Sequence, residues 1–139
     1  MKGLTIILFI GLFLISCSKN TSTSETSSLI LGKWNVTTDL TLTGVGVLNH
    51  AITYTGQSGD YFDFRADSSV YTKEGSVYDT LKYNIVSNST IIIAKFGLVM
   101  NGIPQTCQIT NLTLHNATIS AANVITPAGE FGRTLELSR

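Results

Sequence analysis

The chain has 139 residues, with nine basic and nine acidic side chains and a formal net charge of zero. Charged residues make up only 13% of it, against ~25% in typical soluble domains. Such a chain has no basic patch for nucleic acid and no run of like charge that indicates an acidic or basic tail. Its size suits one domain, and its low charge favours strands over helices.

The N-terminus combines one cation, Lys2, with an apolar run from Leu4 to Ile15. This run is shorter than the ~20 residues that a membrane-spanning helix needs. It therefore predicts a cleaved secretory signal over residues 1–16.

The apolar run ends in Leu14-Ile15-Ser16-Cys17, which resembles the lipobox of bacterial lipoproteins. The resemblance implies that Cys17 is the lipid attachment site and that acyl chains such as palmitate anchor the protein in a membrane. Ser18 is not the Asp that retains lipoproteins in the inner membrane, so we expect the outer membrane of the cell envelope, in either leaflet.

Residues 18–28 are Ser, Thr, Asn, Lys and Glu only. Because so polar a segment buries little apolar surface, we expect residues 17–28 to be the lipidated Cys and a flexible tether. The domain is expected over residues 29–139.

Lys33–Leu42 alternates between apolar and polar residues, which predicts a half-buried strand. The expected inner face carries Trp34, Val36, Leu40 and Leu42, and the outer face carries Lys33, Asn35, Thr37, Asp39 and Thr41.

Further strands are expected at Ile52–Tyr54, Tyr61–Arg65, Val70–Lys73, Thr80–Val86, Thr90–Lys95, Gln105–Leu114, Ala117–Ile125 and Arg133–Leu137. Eight or nine short strands with short turns predict an all-β, antiparallel up-and-down barrel or flattened barrel, because closure removes exposed edges. A β-sandwich is the alternative.

Leu31-Gly32-Lys33-Trp34 at the start of the domain resembles the G-x-W opening of lipocalins and of small lipocalin-like bacterial lipoproteins. Tyr61–Asp67 and Leu135–Leu137 also look like that group. The resemblance implies an eight-stranded barrel in which the Trp plugs one end and a late Arg lies across it. Gly32 and Trp34 would close the barrel with Arg133 or Arg139, either of which could stack on the Trp.

Candidate chemical sites are sparse. His50 and His115 are isolated and favour no metal site, and Asp60, Asp63 and Asp67 are better explained as turn caps than as calcium ligands. No nucleophile motif or cofactor motif is present, so we expect neither an enzyme nor a bound cofactor.

If Cys17 is lipidated, Cys107 has no partner in the chain, and we expect it to be a buried free thiol. Asp79-Thr80-Leu81 resembles a short O-glycosylation motif of exported proteins.

Two functional hypotheses remain. In the first, the barrel binds a small apolar ligand in a cavity, lined by Trp34, Val36, Phe62, Phe64, Leu81, Tyr83 and Ile85. In the second, those side chains fill the core, and a non-enzymatic envelope module binds a protein or glycan partner through the loops Leu42–Ile52 and Phe96–Gln105. The second predicts exposed apolar loop residues, namely Leu98, Val99, Met100 and Ile103.

Overall fold

The computed structural model describes residues 22–45, 48–97, 105–127 and 129–139. The expected signal sequence and Cys17 lie outside these ranges. The described elements are α1 (Ser22–Ile30), β1 (Gly32–Val45), β2 (Leu48–Thr55), β3 (Tyr61–Phe64), β4 (Ser69–Glu74), β5 (Val77–Ser87), β6 (Thr90–Ile93), β7 (Gln105–Thr110), β8 (Asn116–Ala121), β9 (Val124–Thr126) and β10 (Gly129–Ser138).

Eight antiparallel strands form a closed barrel in the order β1-β3-β4-β5-β6-β7-β8-β10, and pairing of β1 with β10 closes it. This confirms the predicted all-β barrel and excludes the sandwich. β2 and β9 extend the barrel at one end, because β2 pairs with the later part of β1 and β9 with the earlier part of β10. We call this end the ribbon end, and the end where α1 packs against β5 the helix end. The strand expected over Ala117–Ile125 is in fact two strands, β8 and β9.

A bulge at Thr37 reverses which residues of β1 face inward. Val36 pairs with Leu137, whereas Thr38 pairs with Glu136, so Thr37 is the extra residue. An extra residue in a strand shifts every later side chain to the other face. The alternation predicted for β1 is therefore wrong beyond Val36: Asp39 is 5% exposed, while Leu40 and Leu42 are only half-buried.

The expected flexible tether is wrong for residues 22–28, which belong to helix α1. The helix is ordered by tertiary contacts that its polar sequence does not reveal. Thr26 is buried and donates from Oγ1 to the carbonyl of Asn88 at 2.8 Å, and Ile30 is fully buried in the barrel core. Short helices gain most of their stability from such packing.

Candidate functional site

The residues predicted to line a ligand cavity belong to the core of the barrel, and two of them, Tyr83 and Ile85, also border an open hollow of about 260 Å³ beside Leu31 at the helix end. Six of the seven are buried, namely Trp34, Val36, Phe62, Phe64, Leu81 and Tyr83, and Ile85 is partly buried against them. Trp34 and Phe62 are 0% exposed. A cavity that could hold even one water molecule would leave part of its lining accessible, so no such space adjoins these two rings. The Phe64 and Tyr83 rings pack edge to face, 5.3 Å between centroids.

At the helix end, Arg139 lies over Trp34, with its guanidinium carbon 3.7 Å from the ring centroid. Trp34 Nε1 donates to the carbonyl of Ile30 at 2.7 Å. Arg139 Nη2 also contacts the carbonyls of Leu29 and Leu31, at 3.0 Å and 2.5 Å. The last residue of the chain therefore caps the C-terminus of α1, where a cation interacts favourably with the helix dipole.

Gly32, at the same end of the barrel, has a backbone conformation that favours glycine. Its φ of +103° is one that side chains with a Cβ rarely adopt, and a Cβ there would lie 3.8 Å from Arg139 Nη2. Gly32, Trp34 and Arg139 thus come together at the helix end. Arg133 does not, because it lies six residues earlier on β10, toward the ribbon end.

At the ribbon end, Arg133 forms a buried ion cluster with two carboxylates. Its Nε donates to Asp39 Oδ2 at 2.8 Å, and its Nη2 donates to the same oxygen and to Glu74 Oε2, the latter at 2.7 Å. The guanidinium carbon lies 4.7 Å from the Phe96 ring centroid and 5.7 Å from that of Phe62. An ion cluster therefore lies on an aromatic floor inside the ribbon end of the barrel.

The cluster contains one cation for two carboxylates, and burial makes a second negative charge costly. Burial, together with the neighbouring carboxylate of Asp39, raises the pKa of Glu74 to about 7, although Arg133 opposes the shift. Asp39 Oδ1 is buried and has no hydrogen-bond partner among the described residues. Near neutral pH, the carboxyl group of Glu74, next to Asp39, is therefore only partly ionised.

The three carboxylates considered for calcium serve separate local roles. Asp60 accepts hydrogen bonds from the Tyr54 hydroxyl (2.5 Å), Gln57 N (2.8 Å) and Gly75 N (2.9 Å), and these bonds, led by that from Tyr54, lower the pKa of Asp60. Asp63 pairs with Arg65. Asp67 caps the turn at Ser69 N. In the part of the chain that the structure describes, no group of three or more His, Cys, Asp or Glu side chains is placed to hold a metal ion.

The remaining residues that the sequence analysis discusses are Cys107, the two histidines and the glycosylation-like motif. Cys107 is a buried free thiol, as expected, and burial raises its pKa to about 11. His50 and His115 are both exposed, on β2 and in the turn between β7 and β8. In the glycosylation-like motif, Asp79 and Thr80 are exposed on β5 and Leu81 is buried.

One of the two expected binding loops differs from the prediction, and most of the other, Phe96–Gln105, lies outside the described residues. Leu42–Ile52 is largely a hairpin, formed by the end of β1 and the start of β2. Leu98, Val99, Met100 and Ile103 lie outside the described residues.

The outer face of β3, β4 and β5 carries two shallow hollows, widely open to solvent, that sequence reasoning missed. They measure about 380 and 550 Å³, adjoin each other and share Tyr61 and Tyr71 in their lining. We call their combined surface the tyrosine groove. Its lining consists of Tyr61, Asp63, Arg65, Asp67, Tyr71, Thr72, Tyr78, Asp79 and Thr80. The outward position of Tyr71 follows from the alternation in Val70–Lys73, so a signal was present, but the pairing of the three strands was needed to bring the tyrosines together.

Comparison of the chain with protein-family models, with curated proteins and with solved structures finds no match. The one helix in the described ranges is too short to cross a bilayer.

Proposed function

We propose that this chain is a lipid-anchored, non-enzymatic binding module of the bacterial outer membrane, which holds a protein or glycan partner on the outside of its barrel. The observation that carries the proposal is the filled interior. The alternative, a carrier of a small apolar ligand, needs free space beside Trp34 and Phe62, and these two side chains are 0% exposed.

The ion cluster also favours an outside partner. Arg133 is held by Asp39, by Glu74 and by the carbonyl of Phe96, to which it donates at 3.2 Å. An apolar ligand that moved into this part of the barrel would have to separate buried charges, which costs several kcal/mol.

The distance between Cys17 and α1 determines which end of the barrel the proposed anchor holds near the bilayer. Helix α1 begins at Ser22, five residues after Cys17, and five residues span at most about 18 Å. A lipid on Cys17 would therefore hold the helix end near the bilayer and leave the ribbon end pointing away from it. Two or three acyl chains suffice for stable anchoring.

The anchor is tested by labelling cells that express the full-length chain with radioactive palmitate. We expect the wild type to incorporate label and to fractionate with outer membranes, and the Cys17→Ala variant to do neither. Label in the variant, or wild-type protein free of membranes, would contradict the anchor.

The filled interior is tested by native mass spectrometry of the full-length protein, released from detergent after incubation with a bacterial lipid extract. We expect the mass of the acylated chain alone. A stoichiometric additional lipid that survives release would favour the carrier hypothesis instead.

A further inference from the structure

We propose that the tyrosine groove is a binding site for a neutral glycan chain. This inference rests on the proposed function and names its partner class. It also replaces the predicted loops by a sheet face as the binding surface.

The strand register places aromatic and polar side chains alternately across the groove. On the outer face, Tyr61 lies opposite Lys73, which lies opposite Tyr78. One step along β4, Tyr71 lies between Asp63 and Thr80. Sugars match this alternation, because a pyranose ring offers an apolar C–H face to an aromatic ring and hydroxyls to neighbouring carboxylates and hydroxyls.

Two of the rings carry a lysine ammonium over one face. Lys33 Nζ lies 4.2 Å from the Tyr61 ring centroid, and Lys73 Nζ lies 6.0 Å from that of Tyr78. Such contacts contribute about 0.5–1 kcal/mol at exposed sites. Tyr71 and Tyr78 are 42% and 67% exposed, so much of their surface is accessible to a ligand.

The charges around the groove balance, which argues for a neutral ligand. Asp63, Asp67 and Asp79 line it. The cations at the same surface are Arg65 in the lining, Lys33 and Lys73 over the rings, and Lys82, which is exposed on the outer side of β5. Lys73 also pairs with the buried carboxylate of Asp60 at 3.8 Å. Four charges of each sign therefore lie at this surface, and this balance does not favour an acidic or a basic polymer.

The lining contains tyrosine and arginine, which also occur at protein interfaces, but it lacks an aliphatic centre. Protein interfaces bury about 800 Å² on each side around an apolar centre. Among the described residues that line the groove, none is aliphatic. Aromatic rings separated by hydrogen-bonding groups suit a polar ligand with apolar faces better than a partner's hydrophobic core.

The test uses the full-length protein in detergent and isothermal titration with four probes: cello-oligosaccharides, manno-oligosaccharides, N-acetylglucosamine oligomers and the acidic polymer polygalacturonate. We expect at least one neutral probe to bind, equally well in low salt and in 0.5 M salt, and polygalacturonate not to bind. Tyr71→Ala and Tyr78→Ala should each weaken binding by about tenfold or more. Tyr71→Phe, which keeps the ring, should weaken it much less.

Ile125→Ala is the matched control, because Ile125 is 83% exposed on β9, outside the groove. It should bind like the wild type. Circular dichroism and thermal unfolding of each variant show whether the barrel has remained folded.

Three outcomes would overturn the inference: no neutral glycan binds the folded wild type, glycan binding is unchanged in Tyr71→Ala and Tyr78→Ala, or only polygalacturonate binds, in a salt-sensitive way. A mixture of unstructured peptides is titrated in the same way as a further probe, and tyrosine-dependent binding of peptides with no binding of glycan would also overturn the inference and assign the groove to a protein. The palmitate and native mass measurements are independent of these variants. The proposed function can therefore stand if the glycan inference fails.

Discussion

Arg133 and Asp39 are 94 positions apart in the chain and meet inside the barrel, where Arg133 Nε donates to Asp39 Oδ2 at 2.8 Å. The contact depends on the bulge at Thr37, because without it Asp39 would point outward and a leucine inward. Arg133 faces a second carboxylate, Glu74, at 2.7 Å. Stability at the ribbon end therefore depends on one guanidinium.

Replacing Arg133 by Gln should lower the free energy of unfolding by about 3 kcal/mol or more, because Asp39 and Glu74 would remain buried without a cation. Urea unfolding can follow this loss through Trp34, the single tryptophan of the chain. Arg65→Gln is the control. Arg65 also pairs with an aspartate, but its side chain is 58% exposed, so its loss should cost under about 1 kcal/mol. Equal effects of the two substitutions would contradict the account.

Glu74 should make the protein less stable as the pH rises from about 4.5 to 7. Its pKa is about 7 in the folded chain, against an ordinary value of 4.5, so the folded form binds more protons across this interval. The stabilisation is complete below pH 4.5 and is lost as the pH passes 7. Glu74→Gln should flatten this part of the stability profile. Glu136→Gln, at an exposed position of β10, should keep the wild-type slope, and a flattened profile there would point to another group.

Arg139→Ala should loosen α1 and leave the barrel folded. The substitution removes the cation over Trp34 and the cap on the last carbonyls of the helix, and we expect a loss of about 1 kcal/mol. Hydrogen exchange should quicken in α1, and Trp34 emission should shift to longer wavelength. Lys33→Ala removes an exposed cation over Tyr61 instead and should change neither signal. Unchanged protection of α1 in Arg139→Ala would show that the cap does not hold the helix.

Cys107 should resist thiol reagents at pH 8 in the native protein, since it is buried and its pKa is about 11. In denaturant, a chain lipidated at Cys17 should show one reactive thiol. Titration with an aromatic disulfide counts the thiols in both states. Fast labelling of native protein at Cys107, located by peptide mapping, would be inconsistent with the packed core.

The barrel could be predicted because period-two patterning is local. In β3 and β5, apolar residues such as Phe62, Phe64, Leu81 and Tyr83 alternate with polar ones, and each alternation indicates a strand with one buried face. Burial of Cys107 followed from the same rule. The sequence leaves Arg133 and Arg139 as alternative stacking partners of Trp34. Alternation shows that both side chains lie on the same face of β10, but it does not show how far along the barrel each one lies.

Asp39 and α1 could not be placed from local pattern. The bulge at Thr37 exists only in the register between β1 and β10, which are distant in the chain. Helix α1 is polar and short, and its order comes from Ile30, Thr26 and Arg139. One local signal was available, since Ser22 followed by Glu25 has the spacing of a helix N-terminal capping box.

The most direct test of the central claim, a barrel that fills itself, is titration of the full-length protein with a small apolar fluorophore such as 1-aminonaphthalene, monitored by energy transfer from Trp34. Phe62→Ala serves as the positive control, and both proteins are also titrated with benzene, read from Trp34 emission, because deleting one fully buried ring opens an apolar cavity of about benzene size. We expect the variant to bind and the wild type not to bind. Saturable binding by the wild type, with transfer from Trp34, would contradict the account.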